Sequence, residues 1–145
     1  MIYIPEFFIF LHQSMKKIKR YLGKIHVSIG WTLIIFILLA LPGQMFPKEQ
    51  GFTIPNFDKF VHVGLFAGFV LLWCYYYSTR KFAFRKLLRI FFYIFIIGSA
   101  YGIAMEYVQK YFIPFRDFDT RDIISDLIGA GLGYGISNIS LIREE

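Results

Sequence analysis

A chain of 145 residues with 57% hydrophobic and 21% aromatic content and a mean hydropathy of +0.53 is too apolar for a soluble domain of its size, and its length suits one domain. The formal charge of +6 invites a nucleic-acid reading, but the basic residues form two short blocks beside apolar runs. No nucleic-acid module is recognisable, and blocks of this kind read as cytoplasmic loops that meet anionic lipid head groups.

Residues 1–24 read as a cytoplasmic or interfacial segment. Met1 to Leu11 is apolar but interrupted by Pro5 and Glu6 and too short to span, which leaves two options, a place in the interface or an artefact of start-site choice. Met15 followed by Lys-Lys-Ile-Lys-Arg would make a conventional beginning. A basic block before an apolar run also resembles a signal peptide, yet no small-x-small cleavage site precedes Pro42, so an uncleaved anchor is expected.

Four charge-poor windows follow, each near the roughly 20 residues a helical span requires. They cover about 25–41, stopping at Pro42-Gly43, then 60–77, then 90–112, ending before Pro114, and finally 123–142. The expected fold is an all-α membrane protein, a four-transmembrane-helix bundle over residues 25–142. Small residues recur at four-residue spacing in three spans: Gly64 with Gly68, Gly98 with Gly102, and Gly129 with Gly133, the last pair overlapped by Gly131 with Gly135. Such pairs let backbones approach in lipid, so they are expected to pack helices. Cys74 lies mid-span and has no second cysteine to pair with.

Loop charge sets the expected orientation. Ten basic residues (Lys16, Lys17, Lys19, Arg20 and Lys24; Arg80, Lys81, Arg85, Lys86 and Arg89) flank the first span and fill the middle loop, against five (Lys48, Lys59, Lys110, Arg116 and Arg121) in the other two loops. Both termini and the middle loop should therefore be cytoplasmic. Tyr75-Tyr76-Tyr77 reads as an interfacial anchor, a role that Trp31 and Trp73 are expected to share. His12 and His26 lack partners at ligand spacing and read as incidental.

At the outward end six acids (Asp58, Glu106, Asp117, Asp119, Asp122 and Asp126) and three bases (Lys59, Arg116 and Arg121) gather with His62 and Gln109. An ionisable group at membrane depth is costly unless paired, hydrated or used, so these are the candidate site. Asp58 and His62 are four apart, Glu106 and Gln109 three apart, and Asp119, Asp122 and Asp126 three and then four apart, so each group shares a helical face. Glu106 precedes Pro114 by two turns, placing it roughly 10 Å inside the end of its helix.

Two bland or chemical alternatives compete with a ligand site. Lys59 and Arg116 can neutralise Glu106 and an aspartate, so that the charges only stitch helix ends. Against this, three positive minus six negative leaves −3, which suits a bound cation, an amine or a shared proton. His62, Glu106, Asp122 and Asp126 also include oxygen ligands for a divalent cation and a general base, the parts of an intramembrane metal-assisted enzyme. No nucleophile motif, paired-His helix or phosphate loop accompanies them. Binding is favoured over catalysis, and no cofactor is certain.

The ordered pattern Asp58-Lys59-x-x-His62, then Glu106-x-x-Gln109, then Pro114-x-Arg116-x-x-Asp119-x-x-Asp122-x-x-x-Asp126-x-x-Gly129-x-x-x-Gly133 resembles the VanZ-like family of small bacterial membrane proteins. The likeness covers about residues 56–134 and departs at Asp126, where many members carry asparagine. It implies a multi-pass protein of the bacterial cytoplasmic membrane and an association with resistance to the glycopeptide teicoplanin, with no defined reaction. On this reading Asp58, Lys59, His62, Glu106, Gln109, Arg116, Asp119, Asp122 and Asp126 form an outward site for a cell-envelope component, a cell-wall precursor or a lipid head group. Arg116 and Lys59 would grip an anionic group, and the acids an amine or bridging divalent cation.

Overall fold

The computed structural model describes residues 4–42 and 57–142 of the chain. Among them are five helices and no strand: α1 (Ile4–Leu22), α2 (Ile25–Leu39), α3 (Phe57–Ser78), α4 (Phe84–Phe112) and α5 (Thr120–Leu141). Lys48 and the Gly43 half of the Pro42-Gly43 stop fall outside the described residues.

Two helix boundaries depart from the sequence expectation, each for a physical reason. α1 is a 19-residue helix where no regular element was expected. Pro5 stands in its first turn, a position without an intrahelical N–H partner to lose. α4 begins at Phe84, six residues before the expected span. Its first two turns carry Arg85, Lys86 and Arg89, which a charge-free window excludes but which a helix end near water accommodates.

α1 and α2 meet at 68°, broken at Gly23-Lys24. The Gly23 N–H caps α1 on the Lys19 carbonyl at 3.1 Å. A Cβ on Gly23 would stand 2.9 Å from the Thr79 methyl, so this corner depends on glycine to lie against the α3–α4 turn. Tyr75 Oη donates to the Lys19 carbonyl at 3.1 Å. Both basic blocks therefore sit at one end of the bundle.

α3 and α5 run parallel and in register because α4 returns antiparallel between them. Gly129 rests on the Val63 backbone and Gly133 on Ala67 and Val70, so closely that an added Cβ would overlap them. Gly98 faces Phe69 and Val70, and Gly68 faces the Trp31 ring of α2. Gly64, Gly131 and Gly135 depart from the packing expectation. Among the described residues, nothing beyond the helix's own backbone lies within 4 Å of a Cβ built on any of them, because the four-residue repeat names a face without naming its neighbour.

α2 is apolar all round, and a few polar groups moor it to α3 and α4. Ser28 Oγ donates to the Leu72 carbonyl and Trp31 Nε1 to the Leu65 carbonyl, each at 3.0 Å. Trp73 Nε1 donates to Thr32 Oγ1, and Tyr101 Oη to the Thr32 carbonyl, each at 3.1 Å. Both tryptophans thus spend their N–H groups inside the bundle, where an interfacial role was expected. The core beneath them includes Ile35, Phe66, Val70, Phe91 and Ala130, all fully buried.

The outer faces stay apolar. Ile37 on α2, Ile97 on α4 and Ile128 and Ile139 on α5 are exposed, an area far beyond what water tolerates on a monomer. α3 and α4 are long and apolar enough to cross a membrane, and the bent α1–α2 pair would count as a third span. α5 matches α3 in length at 22 residues but is diluted by glycines, serines, Asn138 and the aspartates.

Candidate functional site

The first turns of α3 and the cap and first turns of α5 lie side by side, because the two helices start at the same end in parallel register. That arrangement joins two sequence groups separated by about sixty residues. Lys59 Nζ contacts Asp58 Oδ2 at 3.0 Å and Asp119 Oδ2 at 2.6 Å, and also bonds Asp122 Oδ1. One turn deeper, His62 Nδ1 meets Asp126 Oδ1 at 2.8 Å, and its Nε2 stands 3.9 Å from Asp122 Oδ2. Nδ1 is thus within hydrogen-bond reach of Asp126, and Asp122 stands beyond it on the other side of the ring as a nearby negative charge.

Glu106 enters from α4 and is held by a backbone group at the head of α5. Its Oε1 accepts the Asp119 backbone N–H at 2.5 Å, while Lys59 is committed to three aspartates. The Asp119 side chain in turn caps α5 by accepting the Arg121 N–H at 2.8 Å. Hydrogen bonding from Lys59, then from the Arg121 N–H, holds the Asp119 carboxyl below the ordinary aspartate range. Seating Asp126 takes a glycine: a Cβ on Gly102 would stand 2.8 Å from the Asp126 side chain.

Burial separates a floor from a rim. Glu106 and Asp126 are each 1% exposed, and His62 and Asp122 are also buried. The Asp58 and Asp119 side chains are 62% and 42% exposed. Five carboxylates are thus gathered around one lysine and one histidine, with two of them open at the top.

Gln109 does not join this set. Its Nε2 donates to the Leu39 carbonyl at 2.9 Å, satisfying a carbonyl that the end of α2 would otherwise leave bare. Arg116 is half-buried in the segment between α4 and α5, and Asp117 is exposed. Among the described residues no group of three or more His, Cys, Asp or Glu side chains is arranged to hold a metal ion. The ammonium of Lys59 occupies the point on which the upper aspartates converge.

Sequence reasoning missed the turn that delivers Asp119 to Glu106. Phe115, just after Pro114, has φ 60°, a left-handed conformation that costs a bulky residue about 1–2 kcal/mol. It reverses the chain directly after α4, so that α5 starts beside the helix that has just ended. The only local signal is the proline.

The family profile described as VanZ/LLP1 matches residues 3–141. No curated protein and no solved structure matches the chain.

Proposed function

The chain belongs to the VanZ/LLP1 family, and from this premise we propose a four-span protein of the bacterial cytoplasmic membrane whose outward polar cluster engages an amine-bearing component of the cell envelope. α2, α3, α4 and α5 are the spans, with α1 in the interface and both termini cytoplasmic. The exposed isoleucine face of α5 supports its place among the spans, and two basic blocks at one end support the orientation. The bend before α2 suits an α1 that lies along the membrane surface.

The observation that carries the binding role is the excess of carboxylates, with Asp58 and Asp119 still open above a cluster in which Lys59 and His62 are already engaged. A further ammonium group, from a lipid head group or a cell-wall precursor, fits that rim better than an anion does. This refines the ligand from the phosphate or carboxylate grip first assigned to Lys59, since Lys59 is saturated by aspartates. A link to glycopeptide resistance would act through the same outward face.

A second reading is favoured by the internal pairing itself. Lys59 and His62 tie α3 to α5, so the cluster would serve as an assembly joint in an accessory subunit. An intramembrane enzyme is the remaining alternative, and turnover that disappears in Glu106→Gln would establish it.

The deciding measurement is native mass spectrometry of the full chain released from nanodiscs that contain phosphatidylethanolamine, compared with Asp58→Asn/Asp119→Asn, Glu106→Gln and Arg116→Ala. We expect the wild type to retain the amine-bearing lipid and the Asp58→Asn/Asp119→Asn variant to lose it while remaining folded. Equal retention in both, or none in the wild type, sinks the binding role. A lowered unfolding temperature with unchanged bound mass assigns the cluster to assembly.

A further inference from the structure

At the end of the bundle opposite the carboxylates, a cleft of about 830 Å³ opens between the α3–α4 turn and the last turn of α5. Its lining is divided. Arg80 and Lys81 stand at the turn, and Phe84, Leu87, Leu141 and Ile142 supply apolar walls. A charged rim over an apolar wall is the complement of an amphiphile.

Among the described residues, charge around the cleft is of one sign. Arg80, Lys81, Arg85, Lys86 and Arg89 fall within ten residues, and the sequence holds no acidic residue between Lys59 and Glu106. No acidic residue occupies the first turn of α4, and its N-cap, Ala83, makes no side-chain cap. Cations placed at a helix N-terminus oppose the helix dipole. The turn therefore concentrates positive charge that its own helices do not neutralise.

Aromatic rings position two of these cations. The Arg80 guanidinium lies 4.6 Å from the Tyr76 ring centroid, and Lys86 Nζ lies 4.6 Å from that of Phe82. Stacked this way, Arg80 has its long side chain constrained before any ligand arrives, which lowers the entropy cost of binding. Arginine also matches phosphate oxygens in a two-point contact.

We propose that this cleft binds the phosphate head group of an anionic phospholipid from the adjacent leaflet, with Arg80 and Lys81 on the phosphate and the acyl chains leaving along Phe84 and Leu141. The inference rests on the membrane-spanning reading, since only then does the cleft meet a leaflet at head-group height. It does not depend on the carboxylate cluster, which none of these side chains touches.

The test uses the full chain in nanodiscs of phosphatidylcholine with or without phosphatidylglycerol, followed by native mass spectrometry of the released protein. Wild type should retain phosphatidylglycerol in preference to phosphatidylcholine. Arg80→Ala/Lys81→Ala should weaken that retention on the order of thirty-fold, the effect of removing two basic side chains at an anionic surface. Arg85→Ala/Arg89→Ala removes equal charge outside the cleft and should leave most of the retention. Equal loss in both double variants means diffuse surface charge and overturns the site, as does absence of preference in the wild type. Displacement of the lipid by inorganic phosphate at equal concentration overturns the lipid assignment in favour of a soluble phosphate. A chain ending at Ile142 that gains more than ten-fold retention identifies the cleft as the seat of the chain's own Glu144-Glu145, which also overturns it. The same variants released from phosphatidylethanolamine-containing nanodiscs report separately on the carboxylate rim.

Discussion

The two ends of this bundle handle charge in opposite ways. At the α3–α5 end, acids and bases from three helices close on one another, and the deepest of them leave almost no surface. At the other end, the cations splay outward on aromatic rings with no acid among the described side chains to meet them. A buried charge must be matched inside the fold because water is absent. A rim charge can leave that matching to the surroundings, and a chain this short uses both solutions within one helix length.

The sharpest way to break this comparison is to remove one half of the buried pair. His62→Leu leaves Asp126 without its partner and should destabilise the bundle by about 3–5 kcal/mol. The His62→Leu/Asp126→Leu double variant should recover much of that loss, as read from equilibrium unfolding in bicelles. A double variant as unstable as the sum of the singles would mean that the pair is not coupled.

The next effect tests the backbone seam beneath the pair. Gly129→Ala drives a Cβ into the Val63 backbone and should cost about 1–3 kcal/mol by overpacking. Gly131→Ala, two residues along the same helix, meets no described neighbour and should leave stability unchanged or raise it by up to about 1 kcal/mol, alanine being the better helix former. Equal costs at the two positions would show that close approach to α3 does not set the cost at Gly129.

The smallest effect concerns the rim. Asp119 has its carboxyl held below the ordinary aspartate range, so its ionised form is favoured in the folded state. The resulting stabilisation is complete above the unfolded value near 3.8 and is lost as pH falls through the lower folded value. Stability should therefore be insensitive to Asp119 between pH 7 and 5 and fall more steeply below about pH 4 in wild type than in Asp119→Asn. Parallel acid-unfolding curves for the two proteins would remove Asp119 from the coupling.

The helical spacings of Asp58 with His62, and of Asp119 with Asp122 and Asp126, were legible in the sequence because one face of a helix is a local property. Which face meets which was not. The pairing of Lys59 with Asp122 and of His62 with Asp126 depends on α3 and α5 being parallel neighbours, a fact of topology that no spacing carries. The same gap explains Gly64, whose repeat with Gly68 looks equivalent to Gly129 with Gly133 but meets no neighbouring helix among the described residues. Gln109 illustrates it again: three residues from Glu106 and on its face, it reaches a different helix. α1 escaped because Pro5 and Glu6 interrupt its apolar pattern at a place where a helix start tolerates both.

Glu106 and Gln109, one turn apart near the C-terminal end of α4, hold two different helices by their backbones. The first grips the N–H at the head of α5 and the second a carbonyl at the tail of α2. The last turns of α4 thus act as a crossbar. A tilt of that helix end displaces both neighbours together, and a pull on the segment that follows α2 is handed through two amide-scale links to the cap aspartate and so to Lys59. Three helices, of which only α4 and α5 are joined by a short turn at this level, are harnessed to move as one.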